Sequence, residues 1–287
     1  MLSAMKAGIA VLVLLLTPCA AFGQASGRAR VGVCVDPDKF ESAQAAGFDY
    51  VETNASKVAA LTDEDFEKLA AQVAQLRIPL AASMSFVPGA IKLTGPDVDP
   101  ARQMAYATTT LGRLKRLGVK VVVLGSGGAR RAPDGFPKDE AVNQLADFCR
   151  RVAPIARANG ITIVVEPLRK QETNIINTVR EGLALVRAVD RPEIKLLVDY
   201  YHLAEEGENA DVIADAGPLL AHTHIANPQG RVYPRSAGEA DYGPFFANLC
   251  KIGYSGRMSV EASTRDFPAD APQSLALLRQ ALACAGK

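Results

Sequence analysis

From Arg30 onward, short apolar segments rich in β-branched residues alternate with longer amphipathic segments. Eight segments predict strands, at residues 30–36, 49–54, 80–86, 119–125, 161–167, 194–202, 219–227 and 257–263. Helical patterns between and after them include residues 63–76, 100–117, 138–159, 178–189 and 272–285. Several strands are nearly continuous β-branched runs, which is typical of parallel strands buried on both faces. This alternation predicts an α/β fold built on a parallel sheet.

The number of strand–helix units predicts how that sheet is arranged. Eight units over residues 24–287 match a single (β/α)8 TIM barrel, which typically has roughly 250 residues. A doubly wound open sheet is the alternative, but no Gly-rich dinucleotide fingerprint follows the first strand. Because no low-complexity linker or compositional break follows residue 30, we expect one domain over residues 24–287.

Residues 1–23 have a different character from the rest of the chain. A basic start at Lys6 leads into an apolar run over residues 7–16, and small residues follow at Ala21 and Gly23. A membrane-spanning helix needs roughly 20 apolar residues, so this run fits a secretory signal peptide better. We predict a signal peptide at residues 1–23 and a periplasmic or secreted protein. An uncleaved anchor and a buried core strand are the alternatives.

The charge balance and the cysteines limit the partners. The chain carries 32 Lys and Arg against 31 Asp and Glu, a formal net charge of +1. Proteins that bind nucleic acids through phosphates need a basic excess on one face, so no nucleic-acid partner is expected.

Cysteines 34, 149, 250 and 284 have apolar neighbours and form no C-x-x-C pair, which favours buried free thiols over disulfides or a thiolate-bound metal.

Ionisable side chains gather at the ends of the last four predicted strands, where a barrel carries its active site. These residues are Glu166, Asp199, His202, His222, His224 and Glu261. One such residue is usually a turn or cap residue, but four successive strand ends hold every histidine of the chain. Three converging carboxylates would repel one another unless a cation offsets their charge. One imidazole with three carboxylates suits one divalent ion, Mn²⁺, Mg²⁺ or Co²⁺, with Zn²⁺ also compatible.

Other polar residues near these ends give weaker signals. His222 lies two residues before His224 on the same strand face, so it is expected to support the site or pack as readily as to bind metal. Glu52 ends the second strand and is placed to reach the cavity, with an ordinary cap as its default interpretation. Gly125–Gly128 predicts an anion-binding loop or a tight turn with equal weight. The adjacent pair at 130 and 131, both arginine, predicts an anion contact or a solvated loop.

Four motifs together carry a family resemblance. They are Glu166-Pro-Leu-x-x-x-Glu172-x-Asn174, Val198-Asp-x-x-His202, His222-x-His224 and Gly253-Tyr-x-Gly-x-x-Ser-x-Glu261. In this order and spacing they resemble the xylose-isomerase-like TIM barrel superfamily, and within it the sugar phosphate isomerase/epimerase branch, relatives of tagatose epimerase and hydroxypyruvate isomerase. The resemblance covers about residues 30–261.

The resemblance implies a role for each matching residue. It implies the metal ligands Glu166, Asp199, His224 and Glu261. It implies the substrate-binding residues Glu172, His202 and Arg231. The family often has an acid where this chain has Asn227, so a supporting carboxylate is not expected there.

The arrangement predicts proton transfer next to a carbonyl. A divalent ion that holds adjacent oxygens of a hydroxy-ketone lowers the cost of forming an enediolate. Glu166 and Glu261 are the predicted catalytic pair, one removing the carbon-bound proton and the other returning a proton. His202 and Arg231 would hold the developing negative charge through hydrogen bonds.

These considerations predict a metal-dependent sugar isomerase or epimerase that acts on an unphosphorylated keto-sugar, because an exported enzyme rarely meets sugar phosphates. An exported keto-glycoside lyase is the alternative, since elimination begins with the same proton abstraction. An apurinic endonuclease would need a basic groove and more histidines, and a non-catalytic sugar-binding protein would not need the acid–base pair. The expected partner is a small-molecule carbohydrate, with no membrane partner after removal of the leader and with homo-oligomers left open.

Overall fold

Eight parallel strands close into a barrel, each paired with its neighbours in chain order and the last paired with the first. The structure, a computed structural model, describes residues 28–283, so the predicted leader lies outside the described residues. The strands are β1 (Arg30–Cys34), β2 (Tyr50–Asn54), β3 (Leu80–Met84), β4 (Val121–Leu124), β5 (Thr162–Val165), β6 (Ile194–Asp199), β7 (Leu220–Ile225) and β8 (Arg257–Val260). The predicted fold class, a single (β/α)8 TIM barrel, is confirmed.

Helices connect the strands and surround the barrel. They are α1 (Phe40–Ala46), α2 (Ala55–Ala60), α3 (Asp63–Gln75), α4 (Pro100–Arg116), α5 (Gly127–Arg130), α6 (Lys138–Asn159), α7 (Val179–Val189), α8 (Tyr200–Glu205), α9 (Val212–Ala216), α10 (Gly243–Lys251) and α11 (Phe267–Ala281). Local signals define several ends: Thr178 and Glu181 form a capping box at the start of α7, and Gly160 ends α6 in a left-handed conformation. Within residues 28–283, no helix combines the length and apolar character that crossing a membrane requires.

Two apolar layers hold the barrel together. The outer layer lies between strands and helices and includes fully buried rings such as Phe40, Phe66 and Phe148. Each fully buried large apolar side chain contributes about 1.5–3 kcal/mol to stability. The inner layer fills the barrel with Tyr50 and small aliphatic residues. Gly32 makes room for Tyr50, because a Cβ at Gly32 would lie 2.3 Å from the tyrosine ring.

The structure corrects three local predictions. The sixth strand ends at Asp199, not at residue 202, because the Asp199 carboxylate accepts a hydrogen bond from Tyr201 N at 2.9 Å and caps α8, which contains His202. The last helix begins at Phe267 instead of residue 272, because Asp266 caps it by accepting from Ala269 N. The remaining correction concerns the thiols: cysteines 34 and 149 are buried and free, but Cys250 is disulfide-bonded.

Candidate active site

The carboxyl ends of β5 to β8 bring the predicted ionisable residues together at one mouth of the barrel. Glu166 and Glu261 directly follow β5 and β8, Asp199 ends β6, and His224 lies in β7. Glu166, Asp199 and His224 are at most 4% exposed, and the side chain of Glu261 is 18% exposed. The barrel therefore withdraws these groups from water while leaving Glu261 at the edge of an opening.

The side-chain ends of these residues are within reach of one ion. One oxygen or nitrogen atom from each of four residues, Glu166, Asp199, His202 and Glu261, lies within 4.8 Å of the other three. His224 joins them, since its Nδ1 lies 3.3 Å from Glu166 Oε1 and 3.5 Å from Glu261 Oε2. The structure thus brings all four predicted metal ligands together and adds a second imidazole.

Hydrogen bonds distinguish the two imidazoles. His202 Nδ1 accepts from the backbone N–H of Arg169 at 3.2 Å, and burial lowers the pKa of His202 to about 3. The ring is therefore neutral with its proton on Nε2, which lies 3.6 Å from Asp199 Oδ2. The ring of His224 is turned the other way. Its Nε2 faces away from the cluster toward the buried carboxylate of Glu52, 3.2 Å from Oε1. His202 thus presents an N–H to the cluster, whereas His224 presents Nδ1.

The carboxylates in the cluster have unequal proton affinities. Burial, together with Glu261 and Glu166, raises the pKa of Asp199 to about 8. Burial and the charge of Glu261 also raise the pKa of Glu166. Burial acts upward on Glu261 as well, but His224 and Arg231 bring its pKa down to about 2. The cluster resists holding three ionised carboxylates, and a bound divalent cation would relieve that repulsion.

The donor atoms fit such a cation. Asp199 Oδ2 is buried and has no hydrogen-bond partner among the described residues, although its Oδ1 is engaged by the helix cap. An orphaned buried carboxylate oxygen is costly, and it points into the cluster beside two further carboxylates. Oxygen donors with one imidazole nitrogen are the mixed set that divalent ions such as Mn²⁺ accept. The buried Glu/Asp/His cluster is therefore consistent with a metal site.

Two further predicted residues form an ion-pair bridge over the cluster. Arg231, in the loop after β7, contacts Glu261 Oε2 at 2.5 Å and Glu172 Oε1 at 3.1 Å. Its guanidinium lies over the ring of Tyr201, 4.6 Å from the ring centre. Arg231 has a left-handed backbone with φ of 50°, and its carbonyl accepts from Ser263 N at 2.9 Å, which ties the loop to the end of β8. The structure thus places Glu172 and Arg231 beside the carboxylates.

Glu52 is a functional candidate for which the sequence indicated a cap as the default interpretation and reach into the cavity as the alternative. Its carboxylate is fully buried inside the barrel and contacts the rings of His222 and His224. The default interpretation is therefore wrong. The period-2 spacing with Tyr50, another inward-facing residue of β2, was the signal that could have indicated it.

The loop after β4 also differs from its predictions. Arg130 is fully buried, and its guanidinium donates to Leu124 O at 3.1 Å and Glu166 O at 2.7 Å. Both interpretations of Arg130, as an anion contact and as a solvated loop residue, are wrong. It instead joins the ends of β4 and β5, which holds the backbone of Glu166 in place. Arg131 is exposed and donates to Gln171 O at 3.2 Å.

A cavity of about 400 Å³ opens above the cluster. Its charged lining residues are Glu166, Glu172, Arg231 and Glu261. Its neutral polar or small lining residues include Asn54, Ser56, Ser85, Gly89, Gly125, Ser126, Gly127 and Gly128. The cavity thus combines charged groups for proton transfer with neutral polar groups that offer hydrogen bonds to hydroxyl groups.

Comparisons with known proteins agree with this architecture. The family model described as xylose isomerase-like TIM barrel matches residues 40–281. The chain is 31% identical over 229 residues to an L-ribulose 3-epimerase of Methylomonas sp. strain DH-1, covering 77% of this chain and 76% of that protein. It is 26% identical over 253 residues to the 3-dehydro-D-guloside 4-epimerase of Escherichia coli K12, covering 84% and 93%.

A solved structure shows the same fold. The chain matches the D-allulose 3-epimerase from Methylomonas sp. in complex with D-allulose, with a TM-score of 0.75 and 24% identity. The match covers 88% of this chain and 97% of that one. At this identity the likeness concerns the arrangement of strands and helices.

Proposed function

This chain belongs to the xylose isomerase-like TIM barrel family, alongside sugar epimerases and isomerases, and we propose that it is a metal-dependent epimerase or isomerase of an unphosphorylated keto-sugar. The observation that carries the proposal is the buried cluster of carboxylates and imidazoles at the floor of a polar cavity. Such a cluster is costly for stability alone, because desolvated like charges repel one another.

The proposed metal ligands are Glu166, Asp199, His224 and Glu261. His224 is preferred to His202 because Nδ1 of His224 faces two carboxylates, whereas His202 presents an N–H. When bound, the divalent ion would act as a Lewis acid toward the carbonyl of the substrate. Mn²⁺, Mg²⁺ and Co²⁺ suit the donor set best, and Zn²⁺ is compatible with it.

Glu166 and Glu261 are the proposed acid–base pair. Their carboxylate oxygens lie 3.3 Å and 3.5 Å from His224 Nδ1, and both residues line the cavity, so a substrate carbon held above the cluster has two separate carboxylates nearby. One carboxylate takes the proton bound to the carbon next to the carbonyl, and the other returns a proton to the same or the neighbouring carbon. Return to the opposite face of the same carbon is epimerisation.

His202 and Arg231 are proposed to bind and stabilise the reacting oxygens. The buried His202 Nε2–H has no hydrogen-bond partner within residues 28–283 and is therefore free to donate to a substrate oxygen. Arg231 is held by Glu172 and Glu261, so its guanidinium is already oriented before substrate enters. Glu172 contributes an acceptor at the same side of the cavity and completes the proposed substrate contacts.

The lining of the cavity favours a neutral sugar. Arg231 is the cation among the lining residues, and two carboxylates already engage it. A phosphate dianion would meet Glu166, Glu172 and Glu261 with no unengaged cation in that lining, whereas sugar hydroxyls find amide, hydroxyl and backbone partners. The relatives' names, an epimerase of L-ribulose and one of a dehydro-guloside, are compatible with a neutral ketone-bearing sugar.

A panel of substrates in deuterated solvent tests this function. We expect the purified, Mn²⁺-loaded enzyme to incorporate deuterium next to the carbonyl of neutral keto-sugars, and Glu261→Gln to lose this exchange. Exchange confined to phosphorylated sugars would reject the substrate class. Exchange accompanied by release of the glycosidic group from a keto-glycoside would favour the alternative, a lyase. Absence of exchange from every sugar that the protein binds would favour a non-catalytic binding protein.

We also propose that residues 1–23 direct export to the periplasm or the medium. The disulfide at Cys250 supports an oxidising compartment. The intact mass of protein recovered from fractionated cells tests this proposal. A mature chain beginning at Gln24 in the periplasm or medium is expected, and an uncleaved chain in the cytosol contradicts it.

A further inference from the structure

A buried hydrogen-bond network lies one residue layer deeper in the barrel than the carboxylate cluster. His222 and Ser259 precede His224 and Glu261 by two residues, so each pair shares one strand face. Glu52 Oε2 lies 2.9 Å from His222 Nε2 and accepts from Ser259 Oγ at 2.6 Å. Its Oε1 lies 3.2 Å from His224 Nε2. Both oxygens of one carboxylate are therefore engaged, and three donors converge on them.

The hydroxyl groups in this network have defined directions. Ser259 Oγ gives its proton to Glu52, so it acts as the acceptor toward Tyr50 OH, which lies 2.7 Å away. Tyr50 in turn is held in the barrel interior over Gly32. The position of the Glu52 carboxylate is thus set from the inner layer of the barrel.

The charge of Glu52 has no obvious role in stability. The side chain is fully buried, and its ion-pair partners among the described residues are the two imidazoles. Burying a carboxylate costs several kcal/mol before its hydrogen bonds are counted, and a glutamine would occupy the same volume without that cost. A buried carboxylate at this place therefore points to a task that needs a strong acceptor.

That task follows from the orientation of His224. The ring bridges the network and the cluster, with Nε2 toward Glu52 and Nδ1 toward Glu166 and Glu261. A carboxylate acceptor keeps the ring proton on Nε2 and leaves the lone pair on Nδ1, which is the form that binds a metal ion. It also prevents rotation of the ring out of the cluster.

A different arrangement would use Glu52 as a metal ligand. Ligand atoms of Cys34, Glu52 and His224 lie within 4.8 Å of one another. An ion held by these three residues would require Glu52 to give up a donor and His224 to bind through Nε2. Because both oxygens of Glu52 already accept hydrogen bonds, the geometry favours a supporting role.

We propose that Glu52 is a positioning residue, which fixes the ring of His224 so that Nδ1 faces the metal site. The inference rests on the proposed function, because it assigns Glu52 to support a ligand of that same site. Ser259 and His222 are the groups that hold the second oxygen of Glu52.

Metal affinity tests this proposal without measuring turnover. Mn²⁺ is titrated calorimetrically into the metal-free full chain, its Glu52→Gln variant and its Tyr50→Phe variant, and thermal unfolding of each metal-free protein is recorded. We expect Glu52→Gln to weaken Mn²⁺ binding by about 10–100-fold, as removal of a supporting hydrogen-bond partner does in other metal sites. Tyr50→Phe is the matched control: it removes a hydroxyl from the same network but leaves the Glu52–His224 contact, so Mn²⁺ affinity should change by less than about threefold.

Several results would overturn the proposal. Equal loss of affinity in both variants, in proportion to their loss of thermal stability, would show a general structural role. Wild-type affinity in Glu52→Gln would reject the inference while leaving the metal site intact, whereas a wild-type chain that binds no Mn²⁺ would reject the metal site and this inference with it. A thiolate-to-Co²⁺ absorption band that disappears in Cys34→Ser would make Glu52 a ligand. If Glu52→Gln does not fold, Glu52→Asp is measured instead, because its side chain is one methylene shorter and moves the carboxylate away from His224 Nε2, and wild-type Mn²⁺ affinity there overturns the proposal.

Discussion

A single methyl group at Gly125 should disable the site without unfolding the protein. Gly125 directly follows β4, and a Cβ there would lie 2.3 Å from Glu166 Oε2. Carbon and oxygen atoms approach to about 3.3 Å at closest. In Gly125→Ala the carboxylate oxygen must therefore move by about 1 Å. The backbone of Gly125 is outside the left-handed region, so alanine can adopt its conformation.

The structure indicates which property should change. The Glu166 carboxylate is the far end of a flexible side chain and can rotate away, so the stability of the fold should change by less than about 1 kcal/mol. A misplacement of 1 Å in a reacting group can cost about 10²-fold in rate. We expect kcat/KM on a neutral keto-sugar substrate to fall by about that factor and Mn²⁺ affinity to fall with it.

Steady-state kinetics, Mn²⁺ titration and thermal unfolding of the purified variant check this expectation. Gly112→Ala in α4 is the matched control, because an added Cβ there meets nothing within 4 Å. It should keep full activity and gain about 0.5–1 kcal/mol of stability. Gly127→Ala provides a contrast, since its Cβ would lie 2.6 Å from the backbone oxygen of Glu172 and should destabilise the loop. Wild-type kinetics and metal affinity in Gly125→Ala would refute the role of the Glu166 carboxylate.

Three further predictions concern the metal and the residues around it. Chelation should abolish activity and lower the melting temperature, since a ligand bound by the native state alone stabilises that state. Added Mn²⁺ should restore both the activity and the melting temperature. An unchanged melting temperature on chelation would contradict a resident ion. Glu261→Gln keeps the shape of the side chain but loses its basicity, so kcat should fall by roughly 10²-fold or more. His222→Asn should lower kcat by less, and equal losses of kcat in the two variants would contradict the roles assigned. Arg231 contacts Glu172 and Glu261 through two nitrogens of one planar guanidinium, which a lysine ammonium cannot reproduce. In Arg231→Lys the KM for the sugar should therefore rise about tenfold, and an unchanged KM would contradict a role of Arg231 in substrate binding.

Sequence reasoning recovered the barrel because its signal is repeated and local. Each of the eight strands is an apolar run bounded by helical patterns, and the structure contains every one. The predicted ends were less accurate, as the correction at Asp199 shows. At Asp199 the side chain accepts a hydrogen bond from the backbone N–H of Tyr201, which starts a helix and ends the strand. Such a cap depends on one or two residues, so the apolar pattern of the strand does not reveal it.

The candidate cluster was also accessible to sequence reasoning, for a topological reason. Parallel strands in a closed barrel bring their carboxyl ends to one mouth, so residues as far apart as Glu166 and Glu261 could be expected to meet. This expectation follows from the order of the strands alone and requires no distances between side chains. The side chains that hold the cluster in place, Glu52 and Arg130, were harder to assign. β2 is buried on both faces, so the spacing of Glu52 from Tyr50 indicates the inward side only once Tyr50 is known to face inward. Arg130 lies in the short helix α5, where a buried guanidinium leaves no periodic pattern.

The sequence by itself determined the number of strands, their parallel closure and the carboxylates at their ends, because these follow from periodicity and chain order. Only the tertiary structure decided how each group is used. It distinguished His202 from His224 through the atoms that each ring nitrogen faces, and it placed Glu52 behind His224 and Arg130 behind Glu166. These roles depend on contacts between strands and loops far apart in the chain, and a contact of that kind leaves no local pattern from which it can be read.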